Sequence, residues 1–217
     1  MSFELGRPLG VPNDPAFQKR VLLAALKLFE RSKGPIIEDF PEDAPTIGEE
    51  MSGLACPVDF FQEGAVLTET ESLLAALKKE IQSLRPWYDL SVQKRGRTTV
   101  GISGVALDAL ADFIGAFLDG ETPENPRKDI SIPYTLNLAT DDLKAYYFEA
   151  ATMQPGQESV SSRVLSDWFY QETIAGKVLF ALRDVCLESE DRLMKFICNL
   201  LIIPSAQKER KGGKSQR

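Results

Sequence analysis

Apolar residues recur at intervals of three and four along much of the chain, which is the spacing of one face of an α-helix. The first such run lies between residues 14 and 34. Its apolar positions are Phe17, Val21, Ala24, Ala25, Leu28 and Phe29. Asp14 and Pro15 are typical of a helix start, and Gly34 followed by Pro35 is typical of a stop. The pattern therefore predicts a first helix over this interval.

A second run begins at Thr68, which forms the sequence pattern of a capping box with Glu71. Its apolar face is Leu73, Leu77, Ile81 and Leu84. Pro86 interrupts the run, and a proline inside a helix removes a backbone hydrogen bond. We therefore expect a separate short helix to begin at Pro86 and to end near Arg95 and Gly96.

Four further helices are predicted from the same spacing. Their intervals are 107–120, Thr140 or Asp141 to Ala150, 159–187 (the longest) and 189–203. Strand signals are few and lie beside Pro35 and Pro133, where proline weakens ladder pairing. The chain is therefore predicted to be mainly α-helical, with six or seven helices in a single domain over residues 1–203.

Two long segments, 34–67 and 121–138, lack helical periodicity, and we expect irregular loops there. Loops of this length are uncommon in compact domains and are often functional. The first segment has six acidic and no basic residues between positions 38 and 50. Residues 204–217 instead contain five basic residues and one acidic residue, which predicts a disordered basic tail.

Composition narrows the classes of function. Of the 217 residues, 43% are hydrophobic and 26% are charged, which is ordinary for a globular protein. A net charge of -7 argues against a dedicated nucleic-acid binder, which needs clustered positive charge. The chain has no histidine, so it has no histidine triad, histidine base or histidine metal ligand. We expect no metal, no cofactor and no nucleic-acid partner.

Cys56, Cys186 and Cys198 are an odd and sparse set, whereas secreted scaffolds typically carry more cysteines in even number. Residues 1–7 lack the basic start and apolar stretch of a signal peptide. The longest apolar run, residues 196–203, falls far short of the ~18 residues that a membrane span requires. We therefore expect a cytoplasmic protein with no membrane partner.

Cys56 is a candidate catalytic thiol in the acidic segment. Such a thiol needs a pKa lowered by a histidine, a nearby cation or a helix N-terminus. Histidine is absent from the chain, and the neighbouring acids would raise the pKa. The alternative is a small apolar side chain packed beneath the loop.

A second candidate is an anion site in the stretch 93–99. Its residues are Lys94, Arg95, Arg97, Thr98 and Thr99. Cations, hydroxyls and a flexible backbone can together bind a phosphate or a carboxylate. In the alternative interpretation, Lys94 and Arg95 occupy the last turn of a helix that Gly96 ends, where positive charge is favourable.

A third candidate is a buried pair of acids, Glu149 and Glu172. Glu172 falls on the apolar face of the predicted helix 159–187, between Trp168 and Ala175. A buried carboxylate must find a partner or take up a proton, and Glu149 on the preceding helix could approach it. Paired glutamates build di-metal sites between helices, but those sites also use histidines. We therefore interpret Glu172 as part of a structural ion pair or as an edge residue.

The first forty residues carry a distinctive motif, Gly6-x-x-x-Gly10-x-Pro12-x-Asp14, followed by a helix and then by residues 34–41. This segment resembles the C-terminal end of the selenoprotein B component of glycine, sarcosine, betaine and D-proline reductases. In that family the redox residue, selenocysteine or cysteine, lies upstream of the matching segment. Cys56 lies downstream of it, so no catalytic position is carried over to this chain.

The resemblance implies a C-terminal module. Because the chain has no histidine and no complete catalytic set, we expect a helical accessory or C-terminal module that binds a selenoprotein-B-like reductase and does not catalyse a reaction by itself. The N-terminal lead-in and the acidic segment would form the contact surface. Two alternatives stay open. One is a free-standing, chaperone-like helical protein that binds a peptide in a groove between helices. The other is a small redox enzyme that uses Cys56.

Overall fold

The computed structural model describes residues 9–10, 14–42, 68–155 and 162–208. Within these ranges the chain forms seven α-helices and no strand, which confirms the predicted mainly α-helical class. The helices are α1 Pro15–Lys27, α2 Glu69–Arg95, α3 Leu110–Leu118, α4 Ile132–Ala151, α5 Ser162–Glu172, α6 Ile174–Leu187 and α7 Arg192–Leu200. The chain divides into two compact units, Met1–Glu49 and Glu50–Arg217.

The first unit is built on α1, the predicted first helix. The Asp14 side chain accepts a hydrogen bond from the backbone N–H of Phe17 at 3.0 Å, and Pro15 occupies the first turn. Phe17 is buried, with its ring edge-on to Phe40 at a centroid distance of 5.9 Å. The Arg20 guanidinium binds the Glu42 carboxylate at 2.8–3.1 Å, so the irregular residues 34–42 are held against α1.

The second unit is organised around α4, which packs against α2, α3, α5 and α7. The fully buried apolar residues of α4 are Leu136, Ala139, Leu143, Tyr146, Tyr147 and Ala150. Aromatic rings continue the core on both sides of this helix. Tyr146 meets Tyr88 of α2 at 4.7 Å, and Tyr147 meets Phe169 of α5 edge-on at 5.3 Å. The core of this unit therefore surrounds α4.

Helix α2 runs without a break from Glu69 to Arg95, so the predicted separate helix at Pro86 is wrong. Pro86 is exposed, while Leu84 and Tyr88 on either side of it are buried. A proline on the solvent side of a helix bends it and removes one backbone bond, at a cost of roughly 3 kcal/mol. Burial of the opposite face of α2 against α4 offsets that cost.

Helix α4 begins at Ile132, eight residues before the predicted start at Thr140. The Pro133 ring lies in the first turn, where the missing N–H would have no partner in any helix. Asn125 orders the preceding loop, because its amide donates to the Ile130 carbonyl at 2.8 Å and its oxygen accepts from Thr135 at 2.8 Å. The predicted irregular segment 121–138 therefore ends at residue 131.

The predicted single helix over 159–187 is two helices, α5 and α6, which meet at Thr173. Thr173 has an extended backbone, and its hydroxyl accepts from the Gly176 N–H at 3.0 Å and donates to the Phe169 carbonyl at 2.6 Å. It is thus the N-cap of α6 and a backbone partner of α5. The longest helix of the described residues is α2.

The ordered chain continues past the predicted boundary at residue 203. Residues 205–208 form a helical turn. The buried Gln207 side chain donates to Asp167 at 2.6 Å and to Ser166 at 3.2 Å, both on α5. This first part of the segment predicted as a disordered tail is therefore packed on the second unit.

We expect Gly176→Ala to destabilise the protein by about 3 kcal/mol. A Cβ at residue 176 would lie 2.3 Å from the Phe169 carbonyl oxygen and 2.8 Å from the Tyr170 Cα. Both are backbone atoms, so the clash cannot be relieved by rotation of a side chain. Urea unfolding followed by circular dichroism measures the change.

The matched control is Gly115→Ala in α3. The new Cβ would lie 2.5 Å from a terminal methyl of Leu74, a flexible side chain that can rotate away. Alanine is also the better helix former by about 1 kcal/mol. Equal losses in the two variants would contradict the backbone clash at Gly176.

Candidate functional site

Among the residues of the second unit that the structure describes, three acidic side chains are buried, and each accepts hydrogen bonds from the chain itself. They are Glu80 of α2 and Asp142 and Glu149 of α4, with exposed fractions of 3%, 0% and 8%. Buried carboxylates are costly unless donors surround them. The hydrogen-bond donors around these three carboxylates therefore determine what chemistry this region can perform.

Asp142 binds the loop that connects α2 to α3. One carboxylate oxygen accepts from the N–H groups of Gly101 at 2.8 Å and Ile102 at 3.0 Å. The other accepts from the N–H of Ser103 at 3.0 Å and from its hydroxyl at 2.6 Å. Gly101 has a φ of 108°, a conformation that other residues rarely adopt. Successive amides of the loop thus converge on one carboxylate, as in an anion-binding nest.

Glu149 binds the beginning of the same loop. Its carboxylate accepts from the Thr99 N–H at 2.8 Å, from the Thr99 hydroxyl at 2.8 Å and from the Thr98 hydroxyl at 2.9 Å. Residues 142 and 149 are seven positions apart, so they lie on one face of α4, two turns from each other. The loop over residues 96–105, called the carboxylate-binding loop below, therefore lies along α4.

The residues of the predicted anion site separate into two groups. Thr98 and Thr99 do bind a carboxylate, but it is Glu149 of the same chain. Arg95 lies in the last turn of α2, where it donates to the Thr152 hydroxyl at 2.8 Å. Lys94 and Arg97 are exposed. Gly96 ends α2 with a φ of 65°, which agrees with the helix-capping interpretation of this stretch.

The predicted buried pair of Glu149 and Glu172 is wrong. Glu172 is exposed at the end of α5, and Glu149 accepts from Thr98 and Thr99 instead. The spacing rule that placed Glu172 on the apolar face assumes one continuous helix. The break at Thr173 changes which residues lie on the buried side, so Thr173 is buried in place of Glu172.

The third buried acid, Glu80, joins three helices. Its carboxylate accepts from the N–H groups of Ile174 and Ala175, both at 3.1 Å, at the N-terminus of α6. It also accepts from the Tyr147 hydroxyl of α4 at 2.6 Å. A carboxylate at a helix N-terminus is favourable because the free N–H groups there carry partial positive charge. Glu80 thus serves as a second cap for α6, supplied by a distant helix.

Burial raises the pKa of Glu80, although the hydrogen bonds from Tyr147, Ile174 and Ala175 oppose that rise. Burial also raises the pKa of the Tyr147 hydroxyl well above its ordinary value, and the neighbouring Glu80 charge adds to this effect. Tyr147 therefore stays protonated and remains a hydrogen-bond donor to Glu80.

Sequence reasoning missed Glu80 and Asp142, although a signal for both was present. Glu80 lies three residues after Leu77 and four before Leu84, and Asp142 lies three residues after Ala139. Both acids therefore fall on an apolar helix face, which is the criterion that was applied to Glu172. Because α2 and α4 continue unbroken through these positions, an acid on the apolar face of either helix is buried, as the spacing predicts.

The remaining predictions concern Cys56, metal binding and membrane-spanning helices. Cys56 lies outside the described residues. Within the described ranges, no group of three or more cysteine and acidic side chains is arranged to hold a metal ion. None of the helices that the structure describes combines the length and apolar character needed to cross a bilayer.

No family model matches the chain, and neither a curated protein nor a solved structure shows significant similarity to it. The interpretation of the site therefore depends on its own geometry. In that geometry the polar groups of the carboxylate-binding loop are occupied by Asp142 and Glu149, and the free N–H groups of α6 are occupied by Glu80 and Thr173. These acids act as internal caps.

We expect Asp142→Ala to lower the free energy of unfolding by about 3 kcal/mol. The substitution leaves the amides of Gly101, Ile102 and Ser103 without their acceptor. Urea unfolding measures the loss, and hydrogen exchange measures whether these three amides lose protection.

The control is Asp141→Asn, a charge removal at the neighbouring position. The Asp141 side chain is 42% exposed and pairs only with nearby groups of α4 in the contacts described, Asn137 and Lys144. We expect a change within about 0.5 kcal/mol. A loss as large as that of Asp142→Ala would show that charge on α4, rather than the loop contacts, is responsible.

We expect Glu80→Ala to cost about 3 kcal/mol or more, because the Ile174 and Ala175 amides and the Tyr147 hydroxyl lose their acceptor. Glu80→Gln keeps the shape and one acceptor oxygen, so its loss should be smaller. Urea unfolding of both variants measures the difference.

The Glu80→Gln variant also tests how the stability of the protein depends on pH. A raised pKa means that the folded protein holds the Glu80 proton at a pH where the unfolded chain has released it. The wild-type protein should therefore lose stability relative to Glu80→Gln as the pH rises from the ordinary value of 4.5 through the raised pKa. Parallel stability profiles for the two proteins would contradict the raised pKa.

Proposed function

We propose that the chain is a helical module that works by binding a protein, and that this protein is a component of a selenoprotein-B-like reductase in the cytoplasm. The module itself does not catalyse the reaction. The observation that carries the proposal is an exposed apolar face on α1, the helix within the segment that resembles the reductase family.

Leu22 and Leu26 of α1 are exposed, as is Phe29 in the 3₁₀ turn that follows α1 at residues 28–30. These three side chains are called the α1 stripe below. Leu22 and Leu26 are four residues apart, so they lie on one side of α1, and Phe29 follows directly after the helix. The exposed fractions are 48%, 58% and 87%. Phe17 and Val21 are the buried residues of α1, and their positions place them on the opposite side. The helix is thus apolar on two faces, of which one is exposed.

An exposed apolar stripe at this spacing fits a common mode of recognition. A helix that presents apolar anchors four residues apart can lay them in an apolar groove of a partner. Contiguous exposed apolar surface on a globular protein often marks such a contact. The same segment carries the resemblance to the reductase family, which supports a reductase component as the partner.

A second candidate function, binding of a free peptide by the second unit, is favoured by α7. Phe196 and Leu200 lie one turn apart on this helix, and each is 54% exposed. Together they offer a smaller apolar surface than the α1 stripe. The redox function of Cys56 stays a prediction, because Cys56 lies outside the described residues.

The test uses the full chain and the purified selenoprotein-B-like reductase component of the same organism in isothermal titration calorimetry. We expect Leu26→Glu to weaken binding at least tenfold, because a charge would enter the apolar contact. The exposure of Leu26 means that the fold should be unchanged, which far-ultraviolet circular dichroism checks.

The matched control is Ala16→Glu, which adds the same charge at an exposed position of α1 outside the α1 stripe. Its affinity should stay within about twofold of the wild type. Absence of binding by the wild-type chain would overturn the proposed partner. A loss of binding in Phe196→Ser, with none in Leu26→Glu, would move the contact to α7.

A further inference from the structure

Helix α7 exposes apolar side chains on its outer face. Phe196 and Leu200 lie one turn apart and are each 54% exposed, and Leu201, directly after the helix, is 47% exposed. The buried residues of α7 are Met194, Ile197 and Cys198. The helix is thus held in the second unit by one side, and its other side presents apolar surface to the solvent.

Basic side chains accompany this apolar surface. Arg192 precedes Phe196 by four residues, so the two lie next to each other on the outer face of α7. Arg192 and Lys195 are both exposed. No acidic residue occurs in the sequence between positions 192 and 208. The outer face of α7 is therefore apolar and positively charged.

The basic C-terminal residues of the chain begin at the same place. The Lys208 ammonium group donates to the Asn199 carbonyl in the last turn of α7. Nine residues follow Lys208, of which four are basic and one is acidic. Residues 192–217 together have seven basic residues and one acidic residue, a net charge of +6 in a chain whose total is -7, so the rest carries -13. Positive charge is thus concentrated at and after α7.

The acidic residues nearest in sequence lie at the other end of the helix. Glu188, Glu190 and Asp191 precede α7, which is about 13 Å long. The Asp191 carboxylate accepts from N–H groups in the first turn of α7 as its N-cap. Asp167 of α5 lies near the C-terminal turn, where its carboxylate accepts from the Gln207 amide at 2.6 Å. Two of these four acids are therefore occupied by hydrogen bonds within the chain.

We propose that the outer face of α7 and the basic residues that follow it bind the surface of an anionic lipid bilayer. Phe196 and Leu200 enter the boundary between the headgroups and the acyl chains, and the cations bind the anionic headgroups. The inference is independent of the proposed reductase partner, because the α1 stripe belongs to the first unit.

The combination of side chains favours a bilayer over other partners. Helices that lie on membrane surfaces pair phenylalanine and leucine with lysine and arginine, and an apolar contact together with a polybasic segment binds more stably than either alone. A nucleic acid would engage the cations but not the exposed leucines. A free peptide, the second candidate ligand of α7, would occupy the apolar pair but would not account for the basic residues.

The expectation of no membrane partner was based on the absence of a spanning apolar run. A span requires ~18 apolar residues, whereas a helix that lies on the bilayer surface needs only one apolar face. Surface binding by α7 is therefore compatible with the lengths and sequences of the described helices.

The experiment measures co-sedimentation of the full chain with lipid vesicles. One set of vesicles contains phosphatidylglycerol and phosphatidylcholine in equal parts, and the other contains phosphatidylcholine alone. We expect binding to the anionic vesicles to be at least about tenfold tighter, because several cations contribute at the charged surface. High salt should weaken this binding, since it screens the attraction.

Two variants separate the apolar and the basic contributions. Phe196→Ser combined with Leu200→Ser should weaken binding to the anionic vesicles by about tenfold, because both side chains lose apolar area to bury. A chain that ends at Lys208 loses the four basic residues beyond it and should also bind at least about tenfold more weakly. Circular dichroism checks that both proteins are folded.

The matched control is Leu22→Ser, which removes a leucine of similar exposure (48%) from the first unit. Its binding to the anionic vesicles should equal that of the wild-type chain. Equal binding of the wild type to both kinds of vesicle, or an equal loss in Leu22→Ser, would overturn the proposal. Tighter binding to a single-stranded RNA oligonucleotide, unchanged by the serine substitutions in α7, would assign the basic residues to a nucleic acid instead.

Discussion

The carboxylate of Glu80 receives hydrogen bonds from the hydroxyl of Tyr147 and from the first two amides of α6, and it thereby ties α2, α4 and α6 together. Removal of a carboxylate from water costs several kcal/mol, so the contact persists only while all three donors are in place. This requirement sets where α6 begins. The junction at Thr173 places the start of α6 so close to α5 that Gly176 has no room for a side chain.

Asp142 and Glu149 use the same physical device on α4. Their carboxylates satisfy the amides and hydroxyls of the carboxylate-binding loop, which would otherwise be free to bind an external anion. Polar groups that are saturated inside the molecule have little left to offer a small ligand. Function is therefore better sought at exposed apolar surfaces, such as the α1 stripe.

Much of the helical content could be predicted from apolar spacing and from the capping signals at Asp14 and Thr68, because these depend on neighbours within one turn. The errors came where packing overrode a local signal. Pro86 is compatible with α2 because it faces solvent, and Thr173 ends α5 because its hydroxyl and Glu80 together cap α6. The misplacement of Glu172 followed directly from the missed break at Thr173.

By itself the sequence determined the mainly helical class, the first and last turns of several helices, and an abundance of anion-binding groups in residues 93–99. Only the tertiary structure decided which anion those groups bind and which acids are buried. Asp142 lies 39 residues from Ser103, and Glu80 lies 95 residues from Ala175. Partners at such separations are chosen by how the helices pack, since propensities and caps act over only three or four residues.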